Sequence, residues 1–87
     1  MIKGVTESGF KYKLSEERLD NYELLESFAE MEESPLAMPR VLNLLLGKEQ
    51  TGKLKEHVRT KDGFVPSDKL GAELQDIMLN NPKVKNS

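Results

Sequence analysis

The chain has 87 residues, of which 32% are charged and 37% hydrophobic, with a formal net charge of −2 and no cysteine. Without cysteine, disulfides and thiolate metal sites are excluded, and the slightly acidic balance gives no overall positive field for nucleic acid or anionic lipid. The length predicts one domain with a marginal core. The N-terminus lacks the apolar run of a signal peptide, and we expect no membrane segment.

The first fourteen residues have the pattern of a β-strand. In "FKYKL", Phe10, Tyr12 and Leu14 alternate with lysines, so that one face is apolar and the other charged. Gly9 tolerates a positive φ, which a turn before this strand would need. The pattern predicts a short strand or hairpin over about residues 2–14. An isolated hairpin is marginally stable, so it should pack on helices or pair with another chain.

Helical spacing begins after the hairpin. The apolar residues of "LDNYELLESFAEMEES" recur every three to four positions and predict an amphipathic helix that ends near Ser34. Asp20 and Glu23 form a candidate capping box, although Ser15 is an alternative helix start. Across this helix and the later ones, the residues predicted as core are Leu25, Phe28, Leu42, Leu45, Leu74 and Ile77.

The segment "PLAMPRVLNLLLG" predicts the central helix of the fold. Ser34 is a candidate cap, Pro35 suits the first helical position, and Gly47 is a candidate end. Its apolar residues spread over an arc of about 200°, so the helix should touch more than one neighbour. One half of the arc is predicted to be core. The other edge is the predicted partner surface, formed by Ala37, Arg40, Val41 and Leu44, with core packing as the alternative for Ala37 and Leu44.

The remaining segments predict two more helices and a tail. A short helix carries Leu54 and Val58, and after the turn at "KDG" a last helix carries Leu70, Leu74, Ile77 and Met78. The predicted fold class is therefore mainly α, a small bundle of three to four helices with a short N-terminal β-strand or hairpin. A single domain should cover residues 1–80, with a flexible polar tail at 81–87.

No segment has the spacing of a catalytic, cofactor or metal site. His57 is the only histidine, "ESFAEMEES" lacks the spacing of a calcium loop, and "GKEQTGK" lacks that of a phosphate loop. We therefore predict no enzyme activity, no cofactor and no metal. A helix-turn-helix-like unit at about residues 53–80 leaves DNA binding as an alternative, although the charges that follow Pro66 are mixed rather than basic.

The order of the segments is itself informative. "GFKYKL", "LDNYELLESFAEMEE" and "PLAMPRVLNLLLGKEQ", followed by the turn "RTKDGFVP" at residues 59–66, resemble small tail assembly chaperones of long-tailed, siphovirus-type bacteriophages and prophages. The resemblance runs from Gly9 to Met78 and rests on segment order and turn chemistry rather than on a chemical motif.

The resemblance implies a helical, non-enzymatic protein of the host bacterial cytoplasm that self-associates. Its implied partner is the phage tape-measure protein during tail-tube polymerisation, with the tail-tube protein as a further candidate partner. A longer form made by ribosomal frameshifting is also common among such proteins. A DNA-binding phage regulator and a small head–tail connector component are the alternative functions. No binding residues are transferred by position from the resemblance.

Overall fold

The structure is a computed structural model that describes residues 1–81. Strands β1 (Ile2–Val5) and β2 (Lys11–Leu14) form an antiparallel hairpin in which Ile2 lies opposite Leu14. Helices α1 (Glu16–Leu19) and α2 (Tyr22–Glu33), a 3₁₀ turn (Pro35–Ala37), α3 (Met38–Val58) and α4 (Ser67–Asn80) follow. The predicted fold class, mainly α with an N-terminal hairpin, is confirmed, and the first strand pairs within the chain.

The hairpin closes through a short loop from Thr6 to Phe10. The Thr6 N–H donates to the Phe10 carbonyl at 2.9 Å, and the Gly9 N–H donates to the Thr6 carbonyl at 2.9 Å. Gly9 has a φ of 96°, a value that glycine adopts without strain and that this kind of three-residue loop needs. Phe10, Tyr12 and Leu14 are buried, as their alternation with lysine predicts.

Two separate caps start the helices after the hairpin. The Ser15 hydroxyl accepts a hydrogen bond from the Arg18 N–H and begins α1, and the Asn21 side chain accepts one from the Glu23 N–H and begins α2. The predicted capping box at Asp20 is therefore wrong, because Asp20 is the residue that ends α1. Ser15, the alternative start, does cap a helix.

Helix α3 is the centre of the fold, as predicted. It contacts α1, α2, α4 and β2, and its side chains Val41, Leu42, Leu45 and Leu46 are buried. Of the six residues predicted as core, five are buried; they are Phe28, Leu42, Leu45, Leu74 and Ile77.

The sixth predicted core residue, Leu25, is 40% exposed, so that assignment is wrong. Helix α2 buries Leu24, Ser27 and Phe28 against α3. Leu25 is turned by about 100° from Leu24, which moves it off the buried face. Spacing alone does not distinguish the two leucines, because both recur helically with Phe28.

Gly47 divides α3 into two helical segments, 38–46 and 48–58, because its φ of 84° and ψ of 161° are not helical. The predicted end of the central helix is therefore at the expected residue, and the short helix predicted from Lys48 onward begins there without a connecting loop. Side chains donate hydrogen bonds to carbonyls on the N-terminal side of the break. Thr51 donates to the Leu42 carbonyl at 3.0 Å, Arg18 to the Asn43 and Leu44 carbonyls, and Gln50 to the Leu46 carbonyl at 2.7 Å.

The C-terminal end of α4 is fixed by Asn81. Its amide donates to the Tyr12 hydroxyl at 2.9 Å and to the Ile77 carbonyl at 2.8 Å, so this residue belongs to the packed structure rather than to the predicted tail. The rest of the predicted tail, residues 82–87, lies outside the described residues. No helix within residues 1–81 is both long and apolar enough to cross a membrane.

Candidate functional site

The predicted partner surface lies along one edge of the first segment of α3. Arg40 is exposed, and Ala37 and Leu44 are half-buried, as expected for residues at the boundary between the core and the solvent. Val41, the fourth predicted residue, is wrong as a surface contact because it is fully buried. Around the helix axis, Val41 lies about 40° from Leu45, so both side chains share the core face. Leu44 lies about 60° from Val41 in the opposite direction, which places it at the edge of that face.

Three residues that the sequence did not indicate complete this surface; they are Glu30, Glu33 and Leu36. Leu36, in the 3₁₀ turn, is 87% exposed, and it borders a shallow depression of about 390 Å³ together with Glu30 and Ala37. Glu30 accepts a hydrogen bond from Arg40 at 3.3 Å, which joins the end of α2 to the start of α3. Both side chains are about half exposed, so this ion pair adds at most about 1 kcal/mol to stability.

We call these residues the α2–α3 surface. Its apolar members lie at the turn and along the first segment of α3, and its charged members lie beside them. The residues are Glu30, Glu33, Leu36, Ala37, Arg40 and Leu44. Leu36 was not predicted because it lies in a 3₁₀ turn, before the helical spacing of α3 begins.

A second group of polar side chains holds the hairpin loop against α3 and α4. The Thr6 hydroxyl donates to Glu73 Oε1 at 2.8 Å, and the Ser8 hydroxyl donates to Glu73 Oε2 at 2.8 Å. Ser8 Oγ also lies 2.9 Å from His57 Nε2. Thr6 and Glu73 are buried, so their hydrogen bonds satisfy groups that are removed from water.

The arrangement of Ser8, His57 and Glu73 differs from that of a hydrolase triad. In a triad the carboxylate orients the histidine, and the histidine accepts the proton of the serine. Here the carboxylate of Glu73 contacts Ser8 itself and has no hydrogen bond to His57, so it does not orient the imidazole. These contacts position the loop but do not activate Ser8 as a nucleophile.

Glu73→Ala is expected to lower the free energy of unfolding by about 1–3 kcal/mol, because it leaves the buried Thr6 hydroxyl without its acceptor. Gln75→Ala is the matched control, since Gln75 is exposed on the same helix and should change stability by less than about 0.5 kcal/mol. Urea denaturation measures both variants. Equal midpoints for the two would show that the Glu73 contacts contribute nothing to stability.

The segment predicted as helix-turn-helix-like has a long connection. Residues 59–66 separate α3 from α4, whereas helix-turn-helix units use a turn of about three to four residues. A turn inside this connection is closed by two backbone hydrogen bonds, from the Thr60 N–H to the Phe64 carbonyl and from the Gly63 N–H to the Thr60 carbonyl. The hairpin loop from Thr6 to Phe10 is closed by the same two bonds. This geometry gives no support to the DNA-binding alternative.

Within residues 1–81, no group of three or more histidine or carboxylate side chains lies close enough together to hold a metal ion. The comparisons with known proteins add no identification: no protein-family model, no curated protein and no solved structure matches the chain.

Proposed function

We propose that the protein is a non-enzymatic assembly chaperone that holds a helical segment of the phage tape-measure protein during tail-tube polymerisation. The proposal places it in the cytoplasm of the host bacterium. It rests on the resemblance of the segment order and on one structural observation. That observation is the exposure of Leu36 at the apolar centre of the α2–α3 surface.

The chemistry of this surface suits an amphipathic helix. Leu36, Ala37 and Leu44 can cover the apolar stripe of such a helix, while Glu30 and Arg40 can pair with charges on its flanks. Exposed leucine has no stabilising role in the isolated chain, whereas burying it in an interface is favourable by about 1.5–3 kcal/mol. An assembly chaperone needs this kind of surface and no reactive group.

Leu36→Asp is the most direct test of the proposal. Because Leu36 is 87% exposed, the variant should keep the helical circular dichroism signal and the thermal melt of the parent protein. Placing a carboxylate in an apolar interface costs several kcal/mol, so co-purification with helical tape-measure fragments should fall at least about tenfold.

Leu79→Asp is the control, because Leu79 is 73% exposed but lies on α4, away from the α2–α3 surface. It should leave co-purification unchanged. If both variants bind the fragments equally well, the α2–α3 surface is not the binding site. Leu44→Asp is a less selective variant, since Leu44 is half-buried against the core and a carboxylate there would weaken folding as well as binding.

A further inference from the structure

An open groove of about 690 Å³ runs between the hairpin and the second segment of α3. Three of its lysines, Lys3, Lys11 and Lys13, come from the hairpin, and Lys53 comes from α3 together with Glu49. Within residues 1–81, the one ion pair formed by any of these lysines is the exposed contact between Lys53 and Glu49, at 3.8 Å. We call this site the lysine groove; it concentrates positive charge on a chain whose net charge is −2.

The lysines of the hairpin repel one another. Lys3 lies directly opposite Lys13, and both side chains are exposed. The Lys13 N–H donates to Gln50 Oε1 at 2.7 Å and the Lys13 carbonyl accepts from Gln50 Nε2 at 2.8 Å, so these backbone groups point away from β1. Lys3 and Lys13 are therefore a non-hydrogen-bonded pair, in which opposite side chains come closest. Like charges in such a pair destabilise a hairpin.

Protection of the sheet edge against pairing with other chains explains only some of the hairpin lysines. A lysine on an exposed edge strand prevents pairing with other chains, and Lys3 on β1 fits that role. The edge of β2 is already covered at Lys13 by the side chain of Gln50. Edge protection therefore does not account for Lys13, whose charge adds to the repulsion at an edge that is already covered.

We propose that the lysine groove binds an extended acidic peptide whose carboxylates occupy alternate positions. Lys11 and Lys13 project from the same face of β2 and are about 6.8 Å apart along the strand, the spacing of alternate residues in an extended peptide. Bound carboxylates would pair with the lysines and remove the repulsion between Lys3 and Lys13. The lysine groove shares no residue with the α2–α3 surface, so the two proposals stand or fall separately.

Fluorescence anisotropy with a fluorescein-labelled peptide of alternating glutamate and serine tests this proposal. Binding should weaken as the salt concentration rises, and a peptide with glutamine in place of glutamate should not bind. Lys3→Gln combined with Lys13→Gln should raise the Kd about 5- to 20-fold, since two exposed charge contacts are lost. The same double variant should melt no lower than the parent protein, because it removes a repulsion.

The matched control is Lys61→Gln combined with Lys69→Gln, which removes the same charge from exposed positions outside the groove. It should change the Kd by less than about twofold. An equal loss of affinity in both double variants would overturn the proposal, as would equal binding of the glutamine peptide. Tighter binding of a labelled oligothymidylate would make the groove a nucleic-acid site instead. If sedimentation shows that only self-association depends on Lys3 and Lys13, the occupant is a second copy of this chain.

Discussion

Leu45→Ala is expected to lower the free energy of unfolding by about 2–5 kcal/mol. Leu45 is fully buried in the first segment of α3, the helix that contacts α1, α2, α4 and β2. Removing its terminal carbons leaves a cavity between elements that cannot all move inward together. The expected loss is a large share of the stability of a domain of this size.

Urea denaturation with a matched leucine gives the measurement and its control. Leu79→Ala removes the same atoms from a side chain that is 73% exposed, so its free energy of unfolding should stay within about 0.5 kcal/mol of that of the parent protein. The urea midpoint of Leu45→Ala should fall, while the dependence of the free energy of unfolding on urea concentration should change little, because only the stability of the folded state changes. An unchanged midpoint for Leu45→Ala would mean that α3 packs through a different face.

The elements of the fold were largely predictable because local spacing determines them. The alternation of Phe10, Tyr12 and Leu14 predicted the strand, and the spacing of the leucines predicted the helices and the central place of α3. Gly47 was correctly identified as the end of a helical segment. The short helix predicted from residue 48 onward does begin there. Its support was not predicted, because the contacts of Arg18, Gln50 and Thr51 with carbonyls around the break do not follow from spacing.

The errors have a different physical origin. Periodicity gives the width of an apolar arc, but the neighbouring elements decide where its buried centre lies. The assignments of Leu25 to the core and of Val41 to the surface were wrong for this reason.

Sites made by distant residues were also missed. Thr6 and Glu73 meet across a separation of 67 positions, and Lys53 joins the hairpin lysines only when α3 packs against β2. No local pattern in the sequence carries that information.

Gly47→Ala is expected to lower the free energy of unfolding by about 2–4 kcal/mol. The φ of 84° and ψ of 161° at Gly47 lie in a region that is essentially restricted to glycine, and another residue there costs about 1–3 kcal/mol. An added Cβ would also lie 2.8 Å from Arg18 Nη2. The guanidinium would have to move, and its hydrogen bonds to the Asn43 and Leu44 carbonyls would weaken.

Gly52→Ala is the control for Gly47→Ala and should have the opposite sign. Gly52 is helical in the second segment of α3, and an added Cβ meets nothing within 4 Å. Alanine there should raise the free energy of unfolding by about 0.4–1 kcal/mol, through better helix propensity and a less disordered unfolded chain. Urea denaturation of the two variants side by side compares the same chemical change in two backbone conformations.

Combining Gly47→Ala with Arg18→Ala separates the two causes of the expected loss. If the backbone conformation dominates, Gly47→Ala should destabilise the Arg18→Ala protein nearly as much as it destabilises the parent protein. If displacement of the guanidinium dominates, Gly47→Ala should cost little once Arg18 is absent. A stabilising effect of Gly47→Ala in either background would contradict the break in α3, because only a continuous helix through residue 47 would favour alanine there.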